Sequence, residues 1–267
     1  MISVAGLGAP AALNVVDAVR DREIERLRAA PADARAIEAF RARAGGIGSA
    51  KALIEDEEVY AFVMRAHGLE DRLFAKGMMR KILESDPSDR RSLVNRLTDP
   101  RFARLHEALG LHEGGGAPLA DPRRREAVVD LYLAARFEGG VARQNDVVGA
   151  ALAFRRAAEE GIRSPYDVLK DPEVTRVVRR ALGLPDAMAG LDVDRQAAMI
   201  TRRLDLSRLS DPEEVEKIVR KFVVIEEALS GAGAARSAAV QLLSDAARGA
   251  GAPLPLDLAV LARARRG

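Results

Sequence analysis

Two recurring marks limit how this chain can fold: Leu-x-Asp-Pro before an apolar run and Gly-Leu after it. Leu97-Thr98-Asp99-Pro100 precedes Phe102, Leu105, Ala108 and Leu109, whose spacing lines one face of a helix. Asp99 suits the N-cap, where its carboxylate accepts from free N–H groups of the first turn. Pro100 suits the first helical position, which needs no N–H. Gly110 suits the left-handed residue that ends the helix, and Leu111 folds back on the last turn.

The pattern recurs. Leu169-Lys170-Asp171-Pro172 opens a run carrying Val174, Val177, Val178, Ala181 and Leu182, closed by Gly183-Leu184. Leu209-Ser210-Asp211-Pro212 opens another, without the closing Gly-Leu. Ile54-Glu55-Asp56-Glu57 is a variant without the proline, closed by Gly68-Leu69. Together with the aliphatic, Arg- and Ala-rich composition, these marks predict an all-α fold.

The copies pair. Asp56, Val59, Val63, Arg65, Ala66, Gly68, Leu69 and Asp71 match Asp171, Val174, Val178, Arg180, Ala181, Gly183, Leu184 and Asp186 at a constant offset of 115. Gly46-Ile47 and Ser49 match Gly161-Ile162 and Ser164 at the same offset, and Arg96-Leu97 with Asp99-Pro100 match Arg208-Leu209 with Asp211-Pro212 at 112. The expectation is a tandem duplication of a multi-helix unit. The first copy spans 1–112, a Gly-rich linker 113–122, the second copy 123–230, and C-terminal helices 231–267.

Composition excludes some chemistry. With no Cys, there are no disulfides, thiolate metal sites or Cys nucleophiles. No apolar run approaches the ~20 residues that span a bilayer. Residues 1–12 lack a basic region followed by a long apolar one, so a cleaved signal peptide is not expected. The net charge of +2 is spread along the chain, unlike the one-sided basic face of a typical nucleic-acid binder.

Between residues 37 and 111 the sequence resembles an alphaproteobacterial domain family of unknown function, often encoded beside flagellar genes. The resemblance rests on Gly68-Leu69-Glu70-Asp71, Ala75-Lys76, Arg80-Lys81-Ile82-Leu83-Glu84, Ser92 and Asn95-Arg96-Leu97-Thr98-Asp99-Pro100-Arg101-Phe102. The second copy departs from it, with Pro185-Asp186 in place of Glu70-Asp71. The resemblance implies an all-helical fold and a flagellar connection, and it brings no catalytic residues.

No catalytic or metal constellation stands out. His67, His106 and His112 lack the i, i+4 spacing of a helical zinc site, and His67 is expected at a helix C-terminus that favours positive charge. Asp56-Glu57-Glu58 and Glu159-Glu160 read as helix-start or solvated acids rather than as an acid/base pair. Gly45-Gly46-Ile47-Gly48-Ser49 follows no strand and reads as a connector. Arg123-Arg124-Arg125 opposes a helix dipole, with Glu126 as a partial answer, and is the candidate anion or partner contact. Exposed aromatics of the kind that stack on single-stranded nucleic acid are not expected. Asp56, Gly68, Asp99, Pro100, Gly110, Asp171, Pro172, Gly183, Asp211 and Pro212 are expected to be structural caps.

The sequence therefore points to a non-enzymatic helical interaction or scaffold protein linked to flagellar assembly or motility, with protein partners and no cofactor. An Arg-rich nucleic-acid-binding protein is the alternative. Location in the cytoplasm is expected, with export through a flagellar apparatus left open, as is the oligomeric state.

Overall fold

The computed structural model describes residues 2–112 and 117–230. The predicted C-terminal helices and the glycines of the predicted linker lie outside the described residues. Thirteen α-helices and no strand occur among those described. They are α1 (Ala9–Ala29), α2 (Pro31–Ala44), α3 (Ala50–Glu55), α4 (Glu57–Ala66), α5 (Lys76–Leu83), α6 (Leu93–Arg96), α7 (Pro100–Leu109), α8 (Pro122–Ala142), α9 (Asp146–Glu160), α10 (Pro165–Leu169), α11 (Pro172–Ala181), α12 (Val193–Thr201) and α13 (Pro212–Leu229). Short 3-10 turns cover Glu70–Arg72, Pro118–Ala120, Asp186–Gly190 and Leu206–Ser210.

Local chemistry explains where the helices start and stop. Asp56 Oδ1 accepts from the Val59 N–H, and Asp99 Oδ1 from that of Arg101. Asp171 Oδ1 accepts from Glu173 and Val174, and Asp211 Oδ1 from Glu213. Pro100, Pro172 and Pro212 each occupy the first helical position, where the missing N–H costs nothing. At the other end, Gly68 and Gly183 have φ +67° and +62°. The Leu69 N–H reaches back to the Met64 carbonyl at 2.8 Å, and the Leu184 N–H to that of Arg179 at 2.9 Å. These are the six-to-one bonds of a Schellman close, made twice with the same spacing. Gly110, at φ +49°, closes α7 by the simpler bond to the His106 carbonyl.

The order of elements runs twice. A 21-residue helix (α1, α8) leads to a helix of 14 or 15 residues (α2, α9). A short helix capped by Ser49 or Ser164 follows, then a ten-residue helix (α4, α11) and a 3-10 turn.

Residues through Glu226 form one compact unit with one continuous core. Of the second unit, only 227–230 are described. Within the first unit the two runs of helices interlock, because α8 packs on α1 and α4 as well as on α9. Phe40, Phe62 and Tyr132 stack in sequence at 4.4 and 4.2 Å, joining α2, α4 and α8. Beside this stack, buried Asp33 accepts from the Tyr132 hydroxyl at 2.7 Å and from Arg136 at 3.1 Å. The hydroxyl satisfies a carboxylate that the apolar stack would otherwise strand. Part of the predicted linker belongs to the core: Leu119 is fully buried. Where α8 and α9 approach, a Cβ on Gly149 would lie 2.6 Å from the Ala142 Cβ, so this crossing requires glycine.

Candidate functional site

The capping residues are held by backbone bonds, and two of the Asp-Pro openings converge. Asp99-Pro100 of α7 and Asp171-Pro172 of α11 border a cleft of about 540 Å³ with His67, Arg101, Arg104, Arg156 and Glu160. Several of its charges are paired within the protein. Asp99 holds Arg101 at 2.8 Å, and Arg101 also donates to the Gly68 carbonyl. Arg104 pairs with Glu160, and Arg156 with Glu138. Burial is the largest influence on the Glu138 carboxyl and pushes its pKa up. Burial pushes the Asp99 carboxyl up, but the hydrogen bonds from Arg101, with the charges on Arg101 and Arg104, together hold it below the usual carboxylate range. Such a set orients helices, and no nucleophile with an adjacent base stands among these groups.

His67 borders this cleft and corrects an expectation. At the C-cap of α4 it was expected to favour a positive charge. Burial instead pushes its pKa down to about 4, and the Arg104 guanidinium adds to the effect. The imidazole is therefore neutral at pH 7, and its buried Nε2 has no hydrogen-bond partner among the described residues. His106 Nε2 lies 2.8 Å from the Ser85 carbonyl, and its ring stacks on His112 at 5.2 Å. No group of three or more His, Asp or Glu able to hold a metal occurs among the described residues.

The predicted anion contact divides. Arg125 Nη1 donates to the Leu119 and Ala120 carbonyls at 2.7 and 2.9 Å, so it ties the 118–120 turn to α8. Glu126 answers Arg41 through two bonds, of 2.7 and 2.6 Å, rather than its own arginine run. Arg123 and Arg124 are exposed, and neither guanidinium has a partner among the described residues. Of the acidic pairs, Asp56 caps α4 and pairs with Arg43, Glu58 pairs with Arg43, and Glu57 pairs with Lys76.

The most exposed large apolar side chain among the described residues is one that sequence reasoning passed over. Phe74 is 82% exposed, in the loop between the 70–72 turn and α5. At the corresponding place in the second run, the loop between the 186–190 turn and α12 exposes Leu191, and α12 begins with exposed Val193. Tyr166, on the neighbouring α10, is also exposed and donates its hydroxyl to Asp194 Oδ1 at 2.8 Å. Neither exposed aromatic, Phe74 or Tyr166, lies in or beside the arginine run in sequence. Phe74 falls outside every apolar stripe, which is the one signal in the sequence that marks it.

Comparison with known proteins gives two matches. Residues 66–215 match the model of a family described as a protein of unknown function, DUF1217. The crystal structure of protein AGR_C_984 from Agrobacterium tumefaciens is similar, with a TM-score of 0.75 and 30% sequence identity. The match covers 85% of this chain and 96% of that one. No curated protein matches the sequence. No helix among the described residues is long and apolar enough to cross a membrane.

Proposed function

For a chain that belongs to the DUF1217 family of proteins of unknown function, we propose the role of a non-enzymatic helical interaction protein that serves flagellar assembly or motility. One observation carries this reading: two equivalent loops, those before α5 and α12, hold large apolar side chains in solvent. Burying a side chain like Phe74 on a partner stabilises a complex by up to ~2 kcal/mol. An aromatic exposed to this degree has the side-chain type common among interface anchors.

The repeated caps, the repeated element order and the constant offset of 115 support descent of the two runs from one duplicated unit. Duplication supplies two related faces on one scaffold. The flagellar part draws on the resemblance of residues 37–111 and on the alphaproteobacterial source of the similar structure. In this reading the chain works in the cytoplasm or is exported by the flagellar apparatus itself.

The test is affinity capture from motile cells with the wild-type chain and the Phe74→Asp variant. A partner retained by the first and lost by the second supports the reading. Equal capture by both removes Phe74 as an anchor. Normal swimming after deletion of the gene removes the motility assignment. The nucleic-acid alternative rests on Arg123 and Arg124, which are exposed and without a partner among the described residues. It predicts retention on DNA that weakens steeply as salt rises.

A further inference from the structure

The two runs of helices differ in what covers one corresponding place. In the first run, α2 and α7 are covered by the chain that follows α7. The 118–120 turn packs on α7, and Leu119 within it is fully buried. A Cβ on Gly45, just after α2, would lie 3.9 Å from the Leu119 carbonyl oxygen and 3.1 Å from Arg125 Nη1. Arg41 of α2 is bonded to Glu126 of α8. In the second run the corresponding helices are α9 and α13. Arg41, Ala44 and Ile47 match Arg155, Ala158 and Ile162, and Pro100 matches Pro212. There the place is an open groove of about 790 Å³. Its apolar lining is Ala158, Ile162, Leu206, Leu209, Pro212 and Val215.

The sequence repeats the covering segment as well as the covered one. Gly116-Ala117-Pro118-Leu119 follows α7, and Gly251-Ala252-Pro253-Leu254 follows α13; the string occurs nowhere else in the chain. We propose that residues 251–254 of the same chain seat in the groove between α9 and α13, with Leu254 filling it as Leu119 fills the corresponding place of the first run. Leu256 and Leu258 follow at once and add apolar surface to a groove larger than one leucine. Pro253 has no N–H, so it enters an apolar groove without stranding a donor. The connection is long enough. Glu216, at the groove, and Leu229, at the end of α13, are ~20 Å apart along the helix. Residues 230–250 can span ~70 Å fully extended, and ~30 Å even if wholly helical. This inference is independent of the Phe74 reading.

The experiment is cross-linking of the full chain by a short bismaleimide. The chain has no Cys, so two introduced cysteines are the only reactive thiols. Ser210→Cys lies on the groove, and Ala252→Cys lies in the segment. This pair cross-links within one chain, read as a product of monomer mass. Ala252→Cys paired instead with Arg35→Cys, on exposed Arg35 of α2, gives at least tenfold less. Adding Leu254→Asp to the Ser210 and Ala252 pair lowers the yield at least tenfold, with helical content unchanged by circular dichroism. No product from the Ser210 pair, or a yield equal to that of the Arg35 pair, overturns the docking. A yield unmoved by Leu254→Asp overturns it as well. Products that join two chains instead of closing one give the groove to the segment of a second copy and overturn docking within the chain.

Discussion

Acidification isolates the contribution of His67. Its folded pKa lies near 4, mainly because burial disfavours the imidazolium and secondarily because Arg104 repels it. The unfolded value is 6.5. Below pH 6.5 the unfolded chain therefore takes up a proton that the native chain refuses. Stability falls as the pH drops from 6.5 to about 4, and this contribution levels off below that. At 1.36 kcal/mol per unit, the loss across the window is roughly 3 kcal/mol. Urea unfolding at a series of pH values, on the wild type and on His67→Gln, measures it. The variant lacks the titrating group, so its advantage over the wild type grows through the window to ~3 kcal/mol. Carboxylates such as Asp99 and Glu226, held below their usual range, lose stability at lower pH in both proteins and cancel in the difference. Parallel curves for the two proteins between pH 6.5 and 4 would refute the buried, neutral imidazole.

Three substitutions test the packing, each read by chemical denaturation. At Gly183 a Cβ meets nothing closer than Arg203 Nη1 at 3.9 Å, so Gly183→Ala costs only the left-handed backbone term, ~1–2 kcal/mol. At Gly149 the backbone is ordinary but the space is absent, so Gly149→Ala pushes α8 off α9 and costs ~1–3 kcal/mol. Asp33→Ala strands the buried Tyr132 hydroxyl and lowers stability by ~1–3 kcal/mol.

What was legible in the sequence follows from how local each feature is. The caps at Asp99, Asp171 and Asp211 and the left-handed closes at Gly68, Gly110 and Gly183 depend on neighbours within a turn, so residue identity and spacing reveal them. The fold class follows from the same marks. The α8–α4 contact was not legible, because no local pattern says which apolar stripe faces which. Leu119 was hidden for a similar reason: a glycine run precedes it, yet its side chain is fully buried. His67 misled because its position suggested the helix dipole, whereas burial dominates its protonation. The candidate site was the least legible part. Phe74, Tyr166 and Val193 matter by exposure, and exposure depends on what every other segment leaves uncovered.

The central claim is that the Phe74 tip is a binding face. A photo-crosslinking residue placed at position 74 in cells producing the full chain tests it most directly, with exposed Arg35 of α2 as the control position. The account predicts discrete cross-linked species from position 74 that are absent from position 35. The same faint adducts from both positions, or none from position 74, would contradict it.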